Sequence, residues 1–124
     1  MANLVDSSVW VALFLDFDTQ HTKAEKLWTQ LQERVYLPHC VINEVVTVLA
    51  YKHSKEQADQ FIEFVVNAQN IEFLEDSLGE EISWYKEIKA RISFTDAALL
   101  LLAQKLKLQL VTFDVQLKNL AKKG

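Results

Sequence analysis

Four acidic residues of this chain stand where a carboxylate is awkward. Asp6 directly follows the short apolar run Asn3–Val5, and Asp114 closes the run Leu108–Thr112 through Phe113. Asp96 immediately precedes the unbroken apolar stretch Ala97–Ala103. On a helical wheel Glu44 falls between Val48 and Tyr51, at the edge of the face formed by Val41, Val45 and Val48. Each acid has a plain structural role available: Asp6 as an N-cap, Asp96 as the second half of a capping box begun by Ser93, Asp114 in a turn, and Glu44 paired with Lys52 or Lys55. Those roles do not explain why acids recur at strand ends, at helix starts and once at an apolar edge. Brought together, the carboxylates repel one another and need a compensating cation. Oxygen donors with few nitrogen or sulfur ligands suit a hard ion, Mg²⁺ or Mn²⁺. Such ions keep several waters and pair with substrate phosphates, which points to phosphodiester hydrolysis.

The elements around these acids read as alternating strands and helices. A strand at Asn3–Val5 passes through the N-cap types Asp6, Ser7 and Ser8 into a helix containing Val9–Leu15. A second helix, from about Thr19 to Arg34, puts Ala24, Leu27, Trp28 and Leu31 on one stripe, and a strand at Val35–Leu37 is stopped by Pro38. Helices over Cys40–His53 and Lys55–Ala68, a strand at Ile71–Leu74 and a helix capped by Ser77 follow. The helix that runs from the Ser93 cap to Leu106 is apolar nearly all round, which predicts a central, buried position. A strand at Leu108–Thr112 and a helix from Gln116 to about Lys122 complete the series. Short strands separated by helices predict a parallel sheet covered on both faces, with right-handed crossovers. Such sheets bind ligands beyond the carboxyl ends of their strands, where all four acids can converge.

Composition sets the bounds. With 124 residues, half of them apolar, the expectation is a single domain over residues 1–124 with a real core. Two glycines and one proline favour long regular elements over a loop-rich all-β fold. Cys40 is the lone cysteine, so an internal disulfide is impossible and a reducing compartment fits. The longest apolar runs, seven residues each, are too short to span a bilayer, and the start lacks a basic segment ahead of an apolar one. A soluble, cytoplasmic protein is expected. The net charge of −4 divides unevenly: residues 1–84 hold 5 basic and 14 acidic side chains (−9), residues 85–124 hold 8 and 3 (+5). A basic C-terminal third permits contact with a phosphate backbone, although charge runs are usually solvated surface.

The ordered set of motifs resembles the PIN-domain ribonucleases, in particular the VapC-like toxins of type II toxin–antitoxin pairs. The family opens on a strand and Asp-x-Ser, matched by Asp6, Ser7 and Ser8. Its midchain Glu in an apolar helix is matched by Glu44, its Ser-x-x-Asp-Ala stretch by Ser93 to Ala97, and its strand ending Thr-x-Asp by Thr112 to Asp114. Asp18, His21 and Ala24 also follow the family's spacing. The departure is after Asp114, where Val115 replaces the aromatic common in the family. The resemblance implies a three-layer α/β/α sandwich around a mostly parallel sheet of four or five strands. It implies a Mg²⁺- or Mn²⁺-dependent endoribonuclease in which Asp6 and Asp96 bind metal directly, and Glu44 and Asp114 directly or through water. Ser8 and Thr112 would orient a carboxylate or water, and Arg91, Lys86 and Lys89 would meet the RNA backbone. A homodimer and a cognate antitoxin that blocks the site are also implied.

Two other readings compete. Asp16 and Asp18 after the run from Val9 to Leu15 resemble the first motif of haloacid-dehalogenase-type phosphatases, a reading that requires that run to be a strand. A catalytically inactive PIN-like module that only binds RNA or a partner is the other. His21, His39 and His53 match no zinc-site spacing.

Overall fold

The computed structural model describes residues 1–75 and 77–123. Among them the elements run β1 (Asn3–Val5), α1 (Ser7–Phe14), α2 (His21–Gln30), β2 (Val35–Pro38), α3 (His39–Lys52), α4 (Lys55–Asn67), β3 (Ile71–Leu74), α5 (Leu78–Glu87), α6 (Phe94–Leu106), β4 (Gln109–Val111) and α7 (Val115–Lys123). The four strands form one sheet in the order β3-β2-β1-β4, with every neighbouring pair parallel. The expected α/β/α sandwich is therefore present, with a wholly parallel sheet of four strands among the described residues.

Topology follows from the handedness of the connections. The chain steps from β1 to β2 to β3 in one direction, then crosses back to lay β4 on the far side of β1. Right-handed crossovers put α1 to α4 on one face and α5 and α6 on the other. The packing agrees: α1 lies against α2 and α3, α3 against α4, and α6 against α5 and α7. The reversal falls between β1 and β4, so the crevice at their carboxyl ends is the place where such a sheet opens to a ligand.

Leu4, Val5, Val35 and Leu37 of the inner strands are wholly buried, as are Val41, Val45 and Leu49 on one face of α3. An aromatic cluster fixes α1 against its neighbours. Trp10 lies 5.2 Å from Trp28 of α2 and 5.4 Å, edge-on, from Phe61 of α4. Phe14 meets Phe61 at 5.4 Å and Phe64 at 5.6 Å, both edge-on. Such geometries add to the burial of the rings, and they hold rigid the helix whose first residues border the acids.

Several expectations need correction. Helix α6 is buried, though less completely than its all-round apolar surface suggests: Ala97, Ala98, Leu99 and Leu101 are buried, Leu99 within the main core, while Leu100, Leu102 and Ala103 stay half-buried against it. It packs on α5, α7 and β4. β2 stops at Pro38 as expected but includes it, one residue beyond Leu37, with Pro38 in register with Leu74. Ser77 does not cap α5 with its hydroxyl. The buried Glu81 carboxylate instead reaches back to accept the Ser77 N–H at 3.0 Å. The run from Val9 to Phe14 is helical, and Asp16 and Asp18 lie in the turn behind it, where the Asp18 carboxylate accepts the Gln20 N–H at 2.8 Å. The phosphatase reading needed a strand there and is set aside.

Helix α6 ends on Lys107 with φ 55° and ψ 53°, the left-handed region that normally falls to glycine. That conformation costs a side-chain-bearing residue about 1–2 kcal/mol, while glycine costs about 0.5–1 kcal/mol in unfolded-state freedom. Lys107→Gly is therefore expected to stabilise the protein by up to about 1 kcal/mol, read as a higher urea midpoint at unchanged slope.

Candidate metal centre

Asp6 is the pivot of the carboxyl end of the sheet. It caps α1 from the last position before the helix and is 95% removed from solvent, with only 5% of its surface exposed. Burial of a carboxylate is tolerated only when its lone pairs are taken. Oδ1 accepts the Ser7 N–H at 2.7 Å, and the Ser7 hydroxyl, whose single proton goes to Glu44, lies 3.3 Å from it. Oδ2 accepts the Ser8 hydroxyl at 3.0 Å and the Thr112 hydroxyl at 2.7 Å. Thr112 comes from the end of β4, so this last bond ties the two strands that flank the reversal.

The other acids arrive on separate elements. The Glu44 carboxylate of α3 accepts a hydrogen bond from the Ser7 hydroxyl. It is not the partner of Lys55, which pairs with Asp59 one turn along α4. Asp114 caps α7 rather than merely turning the chain: its Oδ1 accepts the Leu117 N–H at 3.0 Å, and its own N–H donates to the Thr112 hydroxyl at 3.1 Å. Asp96 sits in the first turn of α6, where the Ser93 hydroxyl accepts its N–H at 3.0 Å. Thr112 thus serves two acids at once, donating to Asp6 and accepting from Asp114. Glu44 and Asp114 are exposed and Asp96 is half-buried.

Electrostatics shows that the four converge. Burial pushes the Asp96 carboxyl up to about 6, and the charges of Asp6, Asp114 and Glu44 push in the same direction against a hydrogen bond from Ser93. Three helix N-termini offset part of this repulsion, because Asp6, Asp96 and Asp114 each occupy the cap or first turn of a helix. The donor set is all oxygen, which fits a hard cation. Among the described residues no three His, Cys, Asp or Glu side chains enclose an ion by themselves.

Ser7 is the residue that spacing alone did not single out. It links Asp6 to Glu44, and the only signal for it was the Asp6-Ser7-Ser8 cap itself. Ser8 and Thr112 lie where expected, on Asp6. Lys86, Lys89 and Arg91 are exposed on α5 and the segment leading into α6. No ion pair joins them to the acids among the described residues, and Lys89 borders a groove by α6 and α7 instead. His21 donates from Nδ1 to the Ala12 carbonyl, 2.8 Å away, and His53 stacks on Phe17, so neither joins the acids.

A parallel α/β/α sandwich with acids gathered at the β1–β4 reversal defines the class: an acid-lined α/β fold. The PIN-domain profile matches residues 4–123, and the chain belongs to that family. It is 29% identical to a VapC ribonuclease of Archaeoglobus fulgidus over 92% of this chain and 78% of that protein. Its fold is similar to that of Mycobacterium tuberculosis VapC20, described as a sarcin–ricin-loop-cleaving toxin. That likeness has a TM-score of 0.85 at 21% identity and covers 96% of this chain and 94% of that one. VapBC2 of Rickettsia felis, bound to a DNA fragment from its promoter, is similar with a TM-score of 0.69 at 14% identity, over 97% and 93%. FitAcB of Neisseria gonorrhoeae is similar with a TM-score of 0.64 at 17% identity, over 98% and 94%.

Two measurements check this description. Asp96 holds its proton to about pH 6 in the folded chain but to about its ordinary 3.8 when unfolded. Its protonation therefore supports the fold fully below about pH 4, and that support is lost as pH rises through about 6. In metal-free buffer, Asp96→Asn is expected to gain on wild type between pH 4 and 7 and to equal or exceed its stability at pH 7. Thr112→Val, which keeps the shape but removes the donor to a buried carboxylate, should cost about 1–3 kcal/mol in chemical unfolding.

Proposed function

We propose that this chain is a Mg²⁺- or Mn²⁺-dependent endoribonuclease and the toxin of a toxin–antitoxin pair. The observation that carries the reading is the convergence of Asp6, Glu44, Asp96 and Asp114 at the β1–β4 crevice, expressed in the raised Asp96 carboxyl. Membership of the PIN family and the likeness to proteins described as a ribonuclease and an RNA-cleaving toxin support it.

In this reading Asp6 and Asp96 hold the ion directly, and Glu44 and Asp114 hold it directly or through water. When bound, such an ion activates a water as nucleophile and offsets charge on the phosphate. Ser8 and Thr112 fix the Asp6 carboxylate so that one geometry is presented to the ion. Ser7 couples Glu44 to the same carboxylate. Asp96 must be ionised to take part, so the site weakens as pH falls through about 6. Arg91, Lys86 and Lys89 supply exposed positive charge for the RNA backbone. A cognate antitoxin covers the acids and a homodimer is the working form. No helix of the described residues is long and apolar enough to cross a membrane.

The test is thermal unfolding of wild type and Asp96→Asn in EDTA and across a Mn²⁺ titration, followed by end-mapping of total RNA treated with each. Wild type is expected to rise saturably, by about 2.7 kcal/mol at a hundredfold excess over Kd. The mutant should respond little, and new RNA ends should appear only with metal and wild type. If wild type ignores Mn²⁺ and the mutant is simply destabilised, the acids are helix caps and the chain is an inactive RNA- or partner-binding module.

A further inference from the structure

The β4 side of the sheet carries a feature that the acids do not use. Gln109 donates its N–H to the Ala2 carbonyl at 2.8 Å, and the Val111 carbonyl accepts from Asp6 at 2.9 Å. Backbone groups alternate along a strand, so those of Leu110 point away from β1, out of the sheet. No hydrogen bond to them is present among the described residues. The opposite edge, β3, carries a charge at Glu72, a common way to deter strand pairing, whereas Gln109–Val111 carries none.

Two cavities flank this open edge, and Met1, Gln109, Leu110 and Lys118 border both. The one on the α5–α6–α7 side, about 1030 Å³, has an apolar floor that includes Trp84, Ile88, Leu100, Leu108 and Leu120. Around it stand Lys89, Lys107, Lys118, Lys122 and Lys123, with no acidic side chain in the lining. The one on the α2 side, about 460 Å³, is bordered by Lys23, Gln30 and Gln32, and its single acid, Glu33, is paired with the N-terminal amine. Lys107 holds its place on the rim in the left-handed conformation usually left to glycine.

We propose that the β4 edge is a docking site for an extended acidic segment of a partner protein, added as a fifth strand. Three observations select that occupant. The outward groups of Leu110 match a polypeptide backbone, as in strand addition. Side chains of an added strand alternate between faces, one set entering the apolar cavity and the other facing Lys23 and the glutamines. On that second face Lys23 and Lys118 complement negative charge, and its one acid, Glu33, is already paired. An RNA strand would satisfy the lysines but leave the aliphatic floor and the strand edge unmatched. The proposal does not depend on the nuclease reading, since it involves none of the four acids.

The experiment titrates the chain with two labelled peptides, EVEIEVE and KVKIKVK, and with a short oligoadenylate, and follows amide exchange at Leu110 by NMR. EVEIEVE is expected to bind at least about tenfold more tightly than KVKIKVK, and to slow exchange at Leu110. Leu110→Pro removes an outward N–H without breaking a bond to β1, and should abolish binding. The surface double variant Lys23→Glu with Lys118→Glu, on the face that the glutamates meet, should reverse the charge preference while leaving the fold intact by circular dichroism. Equal binding of both peptides, binding indifferent to both variants, or no binding at all overturns the proposal. Preference for the oligoadenylate overturns it in favour of RNA. Protection of Leu110 without peptide, with dimers in sedimentation that Leu110→Pro dissolves, overturns it in favour of a second copy of the chain.

Discussion

A buried carboxylate held by hydrogen bonds from two separate elements is the constraint on which the rest of this molecule depends. Asp6 accepts from Ser7, Ser8 and Thr112, and those three donors come from the start of α1 and the end of β4. Moving either element would leave a charge in a nearly solvent-free place without a partner, which is far more costly than the loss of any one hydrogen bond. The aromatic packing of Trp10 and Phe14 keeps α1 in position from one side. The β1–β4 ladder keeps Thr112 in position from the other.

The same acids perform two jobs that look like alternatives. Asp6 and Asp114 are helix caps, and the Ser93–Asp96 turn is half of a capping box, as their plain structural roles require. Yet capping also aims each carboxylate along a helix axis toward the crevice, and three positive helix ends arrive with them. The repulsion that remains is visible at Asp96, whose carboxyl is pushed up by burial and by the charges of its three neighbours. Local helix chemistry and the gathering of negative charge are thus one arrangement seen at two scales.

Much of this was legible in the chain. Asn3–Val5 followed by Asp6-Ser7-Ser8, and Ile71–Leu74 between two helices, mark their elements by punctuation and apolar pattern, which are local properties. The meeting of the acids at one sheet end followed from the parallel topology. Properties set by neighbours were not legible. The apolar girth of α6 could not say which of its residues would be buried, as Leu99 is, and which would stay half-buried, as Leu102 does. The bond from Ser7 to Glu44 depends on how α1 packs on α3, which no spacing encodes. Glu81 reaching back to Ser77 reverses the expected direction of that cap, since either residue type can close the turn.

The strand order also has a consequence in time. β1 is paired to β2 by the first crossover, but its other neighbour is the last strand, and the Thr112–Asp6 bond joins residues 106 apart. A growing chain can assemble β1, β2 and β3 with α1 to α4 while it possesses only Asp6 and Glu44 of the four acids. Asp96 and Asp114 emerge afterwards, and contacts of such long sequence separation form slowly. The acidic cluster is therefore among the last features that synthesis completes, and a chain broken off between β3 and α6 contains three of the strands but neither Asp96 nor Asp114.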